Sequence, residues 1–102
     1  SLAHMSISGI WNVEISTPMG KQTAILDLAA DGDVLTGTAK QGGETAPIQD
    51  GTASGDNATF TLDLTKPIPV KLAFNVTASG DALSGDVKLG AFGTSKVSGT
   101  RA

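Results

Sequence analysis

A chain of 102 residues with a net charge of −3 and no cysteine or tyrosine is sized for one domain around one core. The acidic balance argues against nucleic acid as a partner, and the missing cysteines exclude disulfides and thiolate chemistry. No apolar run approaches the roughly 18 residues needed for a membrane-spanning helix.

The only histidine, His4, falls in residues 1–4, which read as a vector-derived remnant ahead of a start residue, Met5. Residues 5–102 are then the single domain. Nothing before Met5 resembles a secretory leader, which favours the cytoplasm; periplasm or export is the alternative if a leader has been removed.

From Met5 onward the chain reads as eight strands between seven turns, spaced about every 8 to 12 residues, as in a sandwich or barrel. In the first strand Trp11, Val13 and Ile15 share one face, and Asn12, Glu14 and Ser16 the other. Thr17-Pro18-Met19-Gly20 turns the chain. Leu26 and Leu28 then oppose Ile25 and Asp27 up to the turn Asp31-Gly32-Asp33. The third strand ends at Gln41-Gly42-Gly43, and the fourth carries Asp50-Gly51 before the turn Ser54-Gly55-Asp56-Asn57. Phe60, Leu62 and Leu64 alternate with Thr59, Thr61 and Asp63 in the fifth. After Lys66-Pro67-Ile68-Pro69, the sixth sets Val70, Leu72, Phe74 and Val76 against Lys71, Ala73, Asn75 and Thr77. Ser79-Gly80-Asp81 leads to the seventh, with Leu83, Val87 and Leu89 inward, and Gly90-Ala91-Phe92-Gly93 leads to the eighth.

No stretch holds a helical period over ten residues. Residues 30–38 weakly echo residues 78–86, each carrying a hydroxyl residue followed by glycine, Thr36-Gly37 and Ser84-Gly85. Glycine weakens a strand, so its recurrence implies a bulge, a sharp bend or the close approach of a neighbour. Eight strands with one apolar face and short loops bury that face best by closing the sheet on itself. The expected fold is therefore all-β, a single eight-stranded antiparallel up-and-down barrel. A two-sheet sandwich would want a longer connection than any of the seven turns provides.

Gly9-Ile10-Trp11 at the head of such a meander resembles the Gly-x-Trp motif of the calycin superfamily: lipocalins, fatty-acid-binding proteins and avidins. The avidin/streptavidin branch is the nearest match. Ile7-Ser8-Gly9-Ile10-Trp11 is similar to its opening run, and Asp33-Val34-Leu35-Thr36-Gly37-Thr38 to its third strand. The resemblance implies that Trp11 plugs the closed end, that Gly9 lets the chain bend beneath it, and that Arg101, on the last strand, packs across the indole. Such a cation–π contact is worth roughly 0.5–2 kcal/mol. The resemblance does not extend to biotin. Avidins line that site with further tryptophans and a tyrosine, which this chain lacks, and Asn12 follows Trp11 directly, so alternation turns it outward. Nor does the stretch between Thr17 and Gln22 leave room for the helical lid of fatty-acid-binding proteins.

In an up-and-down barrel alternate turns lie at opposite ends. The turns with Asp31, Asp33, Asp56 and Asp81 join the termini at an acidic floor; those with Pro18, Met19, Ile68, Ala91 and Phe92 form an apolar mouth. All six lysines (Lys21, Lys40, Lys66, Lys71, Lys88 and Lys96) fall in or beside mouth-side turns. Parity turns Lys71, Lys88 and Lys96 outward, where they serve solubility. The inward polar residues expected are Gln22 and Gln41 near the mouth, and Asp50 and Arg101 near the floor; a bulge at Gly51 would reverse Asp50, and if it points inward it could pair with Arg101. Ala24, Gly37, Ala39 and Gly85 leave some slack inside, enough for a shallow pocket at the mouth.

With His4 set aside, no common nucleophile–base couple can be built, and the carboxylates lack metal-ligand spacing. No cofactor is implied. The expected function is therefore non-catalytic binding of a small apolar or anionic ligand at the open end. Its contacts would be Met19, Gln22, Gln41, Ile68, Val70, Leu89 and Phe92, with Lys21 and Lys66 as rim charges. Gly9, Trp11, Arg101 and Asp50 would form the floor. One alternative is a protein-interaction module similar to the calycin-type bacterial metalloprotease inhibitors, although those carry a disulfide. Another is an isomerase or cyclase working through one carboxylate, Asp50 or Glu14. The outward apolar positions Ile25, Ala73 and Ala82 point to a homodimer.

Overall fold

The computed structural model describes residues 6–65 and 68–102. Nine strands follow in order: β1 (Gly9–Thr17), β2 (Gly20–Asp31), β3 (Val34–Gln41), β4 (Glu44–Pro47), β5 (Gln49–Ser54), β6 (Asn57–Leu64), β7 (Val70–Ser79), β8 (Ala82–Leu89) and β9 (Thr94–Arg101). A 3-10 turn, Gly90–Phe92, links the last two. Every ladder is antiparallel. The sheet runs β2-β1-β9-β8-β7-β6-β5-β3, and β3 returns to β2. The last strand lies on the first, pairing Trp11 with Arg101 and Ile15 with Val97. The chain is thus a closed eight-stranded up-and-down barrel, in which β4 and β5 together make the fourth stave.

That stave departs from the single strand expected. Pro47 has no N–H to give a ladder, and Asp50 adopts a left-handed φ of 53°, a conformation that aspartate tolerates better than most side chains. The register between β5 and β6 shifts between Gln49 and Thr52, as a bulge requires. Ile48, between the two pieces, still donates its N–H to the Gly37 carbonyl of β3 at 3.0 Å. Both pieces therefore stay aligned along β3. Only β5 pairs with β6, whereas β4 pairs with β3 alone. The wall is sealed over its floor half and parted between β4 and β6 toward the mouth.

Alternation fills the inside. Trp11, Val13 and Ile15 of β1, Leu26 and Leu28 of β2, Phe60 and Leu62 of β6, and Leu72, Phe74, Val76 and Ala78 of β7 are all buried, while their sequence neighbours face solvent. Phe60 and Phe74 stack with ring centroids 4.7 Å apart. Burying each large apolar side chain stabilises the fold by about 1.5–3 kcal/mol.

The two echoed glycines share one cause. A β-carbon on Gly37 would collide with the Asp27 carbonyl oxygen of β2, and one on Gly85 with the Asn75 carbonyl oxygen of β7. Neighbouring backbones press against these positions where the sheet coils tightly, so the repeat marks close approach.

Candidate ligand site

The barrel's two ends differ in packing. At the floor, Trp11 is fully buried and its Nε1–H donates to the Ile7 carbonyl at 2.8 Å. Ile7 is itself fully buried under the indole. The Arg101 guanidinium lies 4.1 Å from the ring centroid. Arg101 Nη1 donates to the Ser8 carbonyl at 2.6 Å, and Nη2 to the carbonyls of Ser6 at 3.0 Å and Gly80 at 2.9 Å. One planar fork thus ties the entering chain, the last strand and the β7–β8 turn together, which a lysine could not do. Gly9 makes the arrangement possible: its φ is 134°, and a β-carbon there would stand 2.7 Å from Arg101 Nη1.

Asp50 is not part of this floor. The bulge turns it to solvent, and the carboxylate beside Arg101 is that of Asp81, 3.4 Å from Nε. Of the two facings open to Asp50 in the sequence, the bulge takes the outward one, so no Asp50–Arg101 pair forms.

Above the Phe60–Phe74 stack the interior opens into a cavity of about 680 Å³. Its deep walls are Val13, Leu26, Leu72 and Phe74, and its rim includes Met19, Ile68 and Phe92. It reaches the middle of the barrel and is deeper than the shallow pocket expected. Met19, Gln22, Gln41, Ile68, Val70, Leu89 and Phe92, seven of the residues singled out in the sequence, line this one space. Gln22 and Gln41 face each other at its edge, with Gln41 Nε2 3.5 Å from Gln22 Oε1 and 3.1 Å from the Thr23 carbonyl. The parted wall borders it too, through Glu44, Thr45 and Ala46 on one side and Leu62 to Thr65 on the other.

The rim charges are placed differently from expectation. Lys21 alternates with Gln22, faces outward, and pairs with Glu14 at 3.4 Å. Lys66 lies outside the described residues. Among the described residues lining the cavity, the charged ones are Glu44 and Asp63. Lys71–Asp63 at 3.7 Å and Lys96–Asp86 at 3.3 Å are further exposed pairs on the outer wall. Sequence reading missed the deep liners Val13, Leu26, Leu72 and Phe74 as site residues. Their parity showed that they point inward, but not that the space beside them stays open. Ala24 and Ala39, already noted as slack, lie on that space.

A second hollow of about 580 Å³ lies against the outer wall over β1, β2, β3 and β9, among the outward residues Asn12, Glu14, Thr23, Ile25, Lys40, Ser98 and Thr100. It is open to solvent and lined by polar and apolar groups together. No group of three histidine, cysteine, aspartate or glutamate side chains placed to hold a metal ion occurs among the described residues. No helix of the described residues is long and apolar enough to cross a membrane.

Compared with protein-family models, curated proteins and solved structures, the chain matches none. Its closed antiparallel barrel, floored by Trp11 under Arg101, is consistent with a calycin-like fold.

Proposed function

We propose that this protein is a non-catalytic barrel that holds a small apolar ligand in its mouth cavity. The observation that carries this reading is the unfilled space above the Phe60–Phe74 stack, about 680 Å³ and walled mainly by aliphatic and aromatic side chains. That volume is in the range of small-molecule sites. Side chains alone can fill an eight-stranded barrel, and in its floor half they do. Gln22 and Gln41 supply the few polar groups that would orient a ligand. With Glu44 at the rim and Asp63 turned to Lys71 on the outer wall, an uncharged ligand fits better than an anionic one. In the avidin-like reading of the opening motif, Gly9 and Trp11 supply the closed floor, and the ligand chemistry is set elsewhere.

The test is titration with a neutral phenylnaphthylamine dye, whose emission rises in apolar surroundings. The expected result is saturable binding that weakens about tenfold or more when Ala39→Phe or Ala24→Phe fills the cavity, with the thermal midpoint held or raised. Dye binding that is absent, or that is indifferent to both fillings, would refute the reading.

A further inference from the structure

We infer that the mouth is also a docking surface for an anionic lipid bilayer, on which the barrel sits mouth-down. The docking surface stands on its own observations. The exchange of ligand with the bilayer that it would permit rests on the cavity reading above.

Three apolar side chains project from three separate mouth-side connections. Met19, between β1 and β2, is 86% exposed; Phe92, between β8 and β9, is 64% exposed; Ile68, just before β7, is 50% exposed. All three lie on the cavity's rim. Exposing such side chains together around one opening costs solubility, and a surface of this kind marks a contact site. The ring is too interrupted by Gln22, Gln41 and Glu44 to make a flat protein interface, but separate tips suit insertion between lipid headgroups.

Charge selects the kind of bilayer. Lys40, Lys71, Lys88 and Lys96 lie on the mouth-side ends of β3, β7, β8 and β9, and Lys21 at the start of β2. They form a collar around the outside of the barrel just behind the apolar tips. Three of them face carboxylates across exposed pairs at 3.3–3.7 Å, which hold them too weakly to withdraw them from a lipid surface. Lys40 and Lys88 have no ion pair among the described residues. The opposite end carries Asp31, Asp33, Asp56 and Asp81 in or beside its turns, with Arg101 committed to the floor. A protein of net charge −3 is thus polarised along its axis. A negative membrane surface would attract the collar, repel the floor, and present the cavity's opening to the acyl chains.

Other apolar side chains are also exposed, and two of them provide the control. Ile10 and Val34 are 46% and 53% exposed on the outer wall near the floor, beside Asp27 and Asp33. There they lie among carboxylates that a negative surface would repel.

The experiment is co-sedimentation of the whole chain with vesicles of phosphatidylcholine alone, or with about a quarter phosphatidylglycerol. Binding is expected to the anionic vesicles only, and to weaken as salt is raised from ~0.05 to ~0.5 M. Met19→Asn with Phe92→Asn should reduce partitioning on the order of a hundredfold, about tenfold per tip. Lys40→Glu with Lys88→Glu should reduce it about tenfold or more. Ile10→Ser with Val34→Ser should leave it unchanged. All six positions are exposed, so unaltered melting curves will show that the variants fold. Three results would each overturn the inference: no sedimentation with anionic vesicles, equal binding to neutral ones, or equal loss in the Ile10/Val34 pair. So would self-association that the tip variants abolish without any binding to vesicles. Dye binding in vesicle-free solution is measured separately, so failure of the docking and failure of the cavity reading give different patterns.

Discussion

Arg101 is the residue on which the floor depends. Its guanidinium covers the indole of Trp11 and donates to the carbonyls of Ser6, Ser8 and Gly80. Hydrogen bonds from a charged group contribute about 1.5–3 kcal/mol each, and part-buried carbonyls left without donors add their own cost. Arg101→Lys keeps the charge but loses the planar fork, so unfolding in urea, followed by Trp11 emission, should show a loss of at least about 2 kcal/mol. Unchanged stability would mean that water replaces the fork at no cost. Gly9→Ala puts a methyl 2.7 Å from Arg101 Nη1 at a φ of 134°. It should cost roughly 1–3 kcal/mol in the same assay. Pairing it with Arg101→Ala should recover part of that loss, because the collision is removed while the backbone strain stays. At Asp50, with its φ of 53°, Asp50→Gly should hold or raise the midpoint, and Asp50→Val should lower it by about 1–2 kcal/mol.

Among the elements, the fourth stave differs from the rest. β1, β2, β7, β8 and β9 are hydrogen-bonded on both edges along most of their length, whereas β4 pairs only with β3. By alternation from Ile48, whose N–H goes to β3, the Thr45 amide points to the β6 side and depends on solvent, so it should exchange hydrogen faster than amides of β7 and β8 under native conditions. Equal protection across all the staves would show that the parted wall closes in solution. The glycines at the coiled positions of β3 and β8 make the opposite case. Gly37→Ala and Gly85→Ala drive a methyl into a neighbouring backbone carbonyl, and backbone cannot step aside as a side chain can. Each should cost about 3 kcal/mol or more, which is exceptional for so small a change.

The whole molecule is a cylinder filled at one end and open at the other. The buried Trp11 and the stacked Phe60 and Phe74 fill the floor half beneath a cavity with mainly apolar walls, and the lysines gather at the mouth end while the Asp31, Asp33, Asp56 and Asp81 carboxylates lie at the floor end. The exposed pairs Lys71–Asp63 and Lys96–Asp86 hold little of this together. Lys71→Ala should shift stability by less than about 0.5 kcal/mol, and it should act mainly on attraction to negative surfaces.

The amino-acid sequence by itself determined the architecture. Period-two alternation in β1, β6 and β7 assigns each side chain to a face, and short turns at regular spacing leave closure as the cheapest way to bury one apolar face eight times over. The floor roles of Gly9, Trp11 and Arg101 came from the resemblance of Gly9-Ile10-Trp11 to the calycin motif. Parity also placed Met19, Gln22, Gln41, Ile68, Val70, Leu89 and Phe92 around one opening. Counting fails wherever a single backbone angle interrupts it. Asp50 in a left-handed conformation reversed its own facing, and Pro47 ended a strand early; both depend on how β3 and β6 approach the stave. The depth of the cavity and the pairing of Lys21 with Glu14 were likewise decided only in three dimensions. Empty volume is what remains between side chains from seven of the eight staves, and no one stretch of chain contains it.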